Sequence, residues 1–120
     1  SVADEAHLVE ADYVGLVSGN DVPDKLARSG LHATRSEFVD APVIDELPLV
    51  LECKLVSYDP DSHFMVGEIV NAGADEAILD EAGMIDPARL KPLTFDPANG
   101  AYWSLGEKVG KAFSDGGKLK

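Results

Sequence analysis

"LVLECKLVSY" (residues 49–58), followed after "DPDS" (59–62) by "HFMVGEIVNA" (63–72), decides the fold class. In the first stretch Leu49, Leu51, Cys53 and Leu55 alternate with Glu52 and Lys54, the period-two pattern of a half-buried strand. "DPDS" holds the residue types of a tight turn, so the second stretch is read as the returning strand of a β-hairpin. Toward the C-terminus, "LTF" (93–95) and "YWSL" (102–105) flank the turn "DPANG" and form a second, shorter hairpin. "LDEAGMIDPARLKP" contains an "EAG" turn and then Asp86, placed to cap a brief helix that starts at Pro87.

The flanks are helical. In residues 2–18, Ala6, Val9, Tyr13, Leu16 and Val17 recur at steps of three and four, the stripe of an amphipathic helix. Ser1 with Asp4 resembles a capping box, and Gly19-Asn20 supplies the stop. Asp21 is expected to cap a short second helix with Pro23 in its first turn and Gly30 at its end. "HATRSEFVDAPVIDELP" (32–48) is expected to be an irregular connection, with at most one helical turn between Pro42 and Pro48. "GEKVGKAF" (106–113) is expected to close the fold as a short helix with Leu105, Val109 and Phe113 on one face. The sum is an antiparallel β core with peripheral helices, an α+β fold or small barrel. Four clear strands are too few to close a barrel.

Composition narrows the function classes. The 120 residues form one domain by length, and 45 % apolar content is ordinary for a globular protein. Twenty-two acidic residues against 10 basic ones give a formal charge of -12, which argues against nucleic acid and against an anionic membrane surface as partners. No apolar run reaches membrane-spanning length. "SVADEAHLVE" lacks a basic-then-apolar signal pattern, and a cytoplasmic location is expected. Cys53 is the single cysteine, which excludes an intrachain disulfide.

No metal-ligand spacing joins His7, His32 and His63, and there is no P-loop, no G-x-G-x-x-G and no G-x-S-x-G. A paired-carboxylate signature is absent as well. Any chemistry is therefore expected from a cofactor. Against the acidic background, "DKLARSGLHATR" (24–35) gathers Lys25, Arg28, Arg35 and His32 around Ser29-Gly30. A solvated basic face accounts for such a cluster; so does an anion cradle. His63 opens a strand after a turn. Phe95, Tyr102 and Trp103 share the second hairpin, where aromatic faces suit either core packing or a flat ring system.

The ordered segments "DYVGLVSGNDVPDKLARSGL", "APVIDELPLVLECKLVSY", "HFMVGEIVNA", "ILDEAGMIDPARLKPLTFD" and "YWSLGEKVGKAF" resemble the C-terminal part of the flavin reductase-like family with the FMN-binding split barrel. The flavoredoxin-type members are the nearest in pattern. The set "LECKLV", "H-x-x-V-G-E-I-V" and "Y-x-x-L-G-E" carries the likeness over about residues 8 to 113. The resemblance implies a six-stranded antiparallel split barrel that dimerises, with FMN at or near the subunit interface. It implies electron or hydride transfer through FMN, with NAD(P)H or a redox protein as donor, hence an oxidoreductase of the NAD(P)H:flavin reductase type. The lysine of "K-x-x-x-S-G" falls on Lys25, implied to contact the flavin or its phosphate. The histidine before "V-G-E" falls on His63, beside the isoalloxazine or nicotinamide. The aromatic after "K-P-L" falls on Phe95, against the ring; Ser29 and Tyr102 follow from their place in the motifs.

The family's N-terminal strands have no counterpart in residues 1–120, so the domain is read as a partial split barrel. An incomplete barrel exposes strand edges and apolar surface, which implies a homodimer or a complementing N-terminal chain. The alternative function is a split-barrel module without cofactor, acting as an interaction or oligomerisation domain.

Overall fold

The structure, a computed structural model, describes residues 1–119. Six strands form three separate two-stranded antiparallel sheets: β1 (Ala33–Arg35) with β2 (Pro42–Ile44), β3 (Leu49–Tyr58) with β4 (Met65–Ala74), and β5 (Leu93–Asp96) with β6 (Ala101–Ser104). The sheets do not close into a barrel. Three α-helices are peripheral: α1 (Leu8–Leu16), α2 (Lys25–Ser29) and α3 (Pro87–Leu90). The expected class, mainly antiparallel β with peripheral helices, is what the chain adopts.

The β3–β4 hairpin dominates, with ten residues in each strand. Its register slips between Glu52 and Cys53 and again between Leu55 and Ser57, so the simple alternation read from the sequence is broken by two bulges. Glu52 ends up buried, at 7 % exposure, while Leu51 and Leu55 are open to solvent. The Asn71 side-chain amide, opposite in register, donates to the Glu52 carboxylate. That bond, with a smaller effect of the Ser36 hydroxyl, holds the Glu52 carboxyl below its usual range, against the opposing effect of burial. A buried acid thus ties β3 to β4.

The N-terminal segment pins the hairpins together. Val2 N–H donates to Leu49 O (2.8 Å), Leu93 N–H donates to Ala3 O (3.0 Å), and Glu5 N–H donates to Lys91 O (3.0 Å). Extended backbone at residues 2–4 therefore bridges the start of β3 to the start of β5. This overturns the expected helix start at residue 2. Asp4 caps a 3-10 turn at Glu5–His7 by accepting from His7 N–H, and α1 follows from Leu8. Ser1 makes no capping box; its hydroxyl accepts from Ile44 N–H at 3.2 Å.

Three further expectations are corrected. Asp21 does not cap α2, because residues 18–24 form turns and Asp24 precedes the helix; Gly30, at φ 82°, ends it as expected. The connection at 32–48 is not irregular: β1 and β2 pair there around a tip closed by Ser36 Oγ accepting from Phe38 and Val39 N–H (2.9 and 3.0 Å). Strands of three residues carry too little periodicity to be read from sequence. The closing helix at 106–113 does not form; the segment is irregular, and Val109 and Phe113 are fully exposed. Gly106 and Gly110 weaken helix formation, and no partner surface rewards it.

Asp86 accepts from Ala88 N–H with Pro87 in the first turn of α3, as the sequence indicates. Leu90 at the end of α3, Ile78 in a 3-10 turn and Leu31 after α2 are the buried apolar residues among those described. The core is small for the chain's length.

Candidate functional site

Helix α1 is the hub of the candidate site. At its C-terminal end the Lys25 ammonium, from the first residue of α2, donates to the carbonyls of Val14 (2.7 Å) and Val17 (2.9 Å). Carbonyls in the last turn of a helix lack intrahelical partners, and the helix dipole favours a cation there. Two of the three ammonium donors are thereby engaged, and one is left for a ligand. Ser29 lies four residues on, on the same helix face; its hydroxyl donates to Leu26 O (2.6 Å) and accepts from Leu31 N–H (3.3 Å).

The rest of the basic island is locally paired. Arg28 Nε donates to Asp24 Oδ2 (2.9 Å), Arg35 donates to Asp40 (2.9 Å), and His32 Nδ1 lies 2.6 Å from Glu46 Oε1. The hydrogen bond from Arg28 keeps the Asp24 carboxyl below its ordinary range, and the bond His32 makes to the Glu46 carboxylate raises His32 above its own. Between α1 and α2 a cavity of about 330 Å³ opens, lined by Val9, Glu10, Tyr13, Arg28 and Ser29.

The middle of α1 meets the second hairpin. Phe95 and Tyr102 are register partners on β5 and β6, with ring centroids 5.6 Å apart and planes tilted by 46°. Tyr102 donates its hydroxyl hydrogen bond to Asp12 Oδ1 on α1 (2.8 Å), which raises the phenol above its usual value. Phe95 remains 59 % exposed, so the pair offers an open aromatic face. Trp103, the third aromatic, is exposed on the same strand.

His63 stands apart, at the turn of the β3–β4 hairpin. Its φ of 59° is left-handed, uncommon for a residue with a side chain. Its Nδ1 lies 3.0 Å from the Tyr58 hydroxyl. The structure therefore joins Lys25 with Ser29 and Phe95 with Tyr102, and ties both pairs to α1. Among the described residues, no hydrogen bond, ion pair or ring contact links His63 to the other four. Two functional candidates escape sequence reasoning: Asp12, which meets Tyr102 across ninety positions without any local signal, and Tyr58, whose place before the "DPDS" turn is the only hint.

Among the described residues, no group of His, Cys, Asp or Glu is arranged to hold a metal ion, and no helix is long and apolar enough to cross a membrane. No family profile matches the sequence. The structure, however, superposes on the flavoredoxin of Desulfovibrio vulgaris (Miyazaki F) with TM-score 0.89 and 36 % identity, covering 97 % of this chain and 62 % of that one. The flavoredoxin of Methanosarcina acetivorans gives TM-score 0.86 and 30 % identity, over 99 % of this chain and 63 % of the other. The chain fits the flavin reductase-like family. An FMN-binding domain of a flavin reductases-like enzyme from Shewanella baltica shares the fold at TM-score 0.74 and 24 % identity, over 92 % of this chain and 60 % of that one. An uncharacterized protein of Aquifex aeolicus is 32 % identical over 83 residues, which are 65 % of this chain and 42 % of the relative. The chain thus spans less than two thirds of the length of the proteins it matches.

Proposed function

We propose that the chain contributes the FMN-binding face of a split-barrel flavoprotein of the flavoredoxin and flavin reductase type, carrying electrons or hydride through bound FMN. The observation that carries this reading is the likeness to flavoredoxins over nearly the whole chain, at TM-score 0.89. The residues present fit such a group in two respects. The exposed Phe95–Tyr102 pair is an apolar aromatic surface suited to a flat ring. Lys25 retains one donor on a short helix that also carries Ser29, a local positive site in a chain of charge -12.

In this reading Phe95 and Tyr102 pack against the ring, Lys25 and Ser29 meet the phosphate or an anionic ring edge, and His63 orients the ring or a nicotinamide. Bound FMN supplies the redox chemistry that the side chains of this protein lack. The protein's part is to bind, orient and provide fixed charge. The electron donor is NAD(P)H or a redox protein. The open sheets are completed by further polypeptide, as a homodimer or through added N-terminal strands.

The test is titration of the purified chain with FMN, followed by quenching of flavin fluorescence. Saturable quenching, weakened by Lys25→Ala and by Phe95→Ala, is expected; unquenched FMN across the titration rejects the reading. A colourless protein that takes up no FMN, and that nevertheless associates through its open sheets, would establish the second reading. That reading is a cofactor-free interaction module, favoured by the unclosed sheets themselves.

A further inference from the structure

We propose that Asp12 is a positioning residue: by accepting the Tyr102 hydroxyl hydrogen bond it fixes the Tyr102 ring against Phe95, and so sets the aromatic face that β5 and β6 offer. The role at a flavin ring rests on the function proposed above; the positioning itself does not.

Tyr102 has two rotatable side-chain bonds and sits near the end of a four-residue strand in a two-stranded sheet, whose open face leaves its ring without a packed cavity to lock it. A bond to water would satisfy its hydroxyl in many ring orientations. A carboxylate acceptor on a separate element removes that freedom, because a charge-assisted bond at 2.8 Å selects one direction for the hydroxyl. Asp12 can do this because α1 is held at both ends: the Asp4 cap lies in the turn preceding it, and Lys25 ties down its last carbonyls. With the phenol held, the ring lies 5.6 Å from Phe95 at a 46° tilt, a geometry within the favourable range for aromatic pairs. The bond lies in a solvent-exposed position, so the pair adds little to global stability while ordering one ring.

The experiment compares wild type with Asp12→Ala, Asp12→Asn and Tyr102→Phe, first without ligand and then with FMN. Without ligand, Asp12→Ala should lower the phenol titration of Tyr102 toward that of free tyrosine and abolish ring–ring NOEs between Phe95 and Tyr102, with little change in melting temperature. Asp12→Asn, whose amide oxygen can still accept, should retain the NOEs. With FMN, Asp12→Ala should weaken binding about tenfold, the loss of one hydrogen bond to a charged group, and alter the visible circular dichroism of the flavin. Adding Asp12→Ala to Tyr102→Phe should cost nothing further. NOEs that persist unchanged in Asp12→Ala overturn the proposal. If wild type takes up no FMN while Asp12→Ala still frees the ring, the flavin reading falls and the positioning role stands.

Discussion

Lys25 holds a helix end as well as standing where an anion is expected, and the two roles make different predictions. Removing its ammonium leaves the carbonyls of Val14 and Val17 without their donor. Lys25→Ala should therefore destabilise the ligand-free protein by about 1–2 kcal/mol, the range for hydrogen bonds from a charged group at a helix C-terminus. Chemical denaturation without FMN checks this; an unchanged midpoint would mean that the cap contributes nothing. His32 gives a pH signature. Its hydrogen bond to Glu46 raises its pKa above the usual histidine value, so the bond adds stability that is fully present below about pH 6.5 and is lost as pH rises through the raised folded value. A proton NMR titration should show an elevated His32 midpoint that returns to the ordinary value in Glu46→Gln.

Between strands, Glu52 joins β3 to β4. With the Asn71 amide as its partner, its carboxyl titrates below the usual range, so its contribution is present above the unfolded pKa and is lost as pH falls through the folded one. Glu52→Ala should speed hydrogen exchange in β3 and β4 more than in β5 and β6, and acidification should do the same to wild type. Amides of residues 106–110 should exchange fast throughout, because the expected closing helix is absent and no backbone acceptor faces them. These contrasts also mark how far the sequence can be read. The β3–β4 and β5–β6 hairpins and the Asp86–Pro87 start of α3 were legible, since long alternation, turn residues and caps are local signals. The β1–β2 pair was not, because three-residue strands carry no period, and neither were the bulges that turn Glu52 inward. Within the site, the sharing of one hairpin by Phe95 and Tyr102, and of one short helix by Lys25 and Ser29, was legible; their pairings were not. Nor was Asp12, because its contact with Tyr102 is purely tertiary.

At the scale of the whole molecule, the chain exposes 9349 Å², against about 6,200 Å² for a compact folded monomer of its mass. Its radius of gyration is 17.2 Å, where about 14 Å is usual for this length. The excess, about 3,000 Å² per chain, is at least what each partner of a large obligate interface covers. Leu51, Leu55, Val56, Met65 and Ile69 on β3 and β4 contribute to its apolar part, on a hairpin with two unpaired strand edges. The isolated chain should therefore self-associate with concentration in sedimentation velocity, and Leu55→Lys should reduce that association; a monomer at every concentration would show that these faces tolerate water. The likeness to flavoredoxins places the chain in a fold whose function here is proposed through FMN. Flavin fluorescence titration of the purified chain is the most direct measurement of that claim. The account predicts saturable quenching that Phe95→Ala weakens, whereas fluorescence that stays at the free-FMN value to the end of the titration would contradict it.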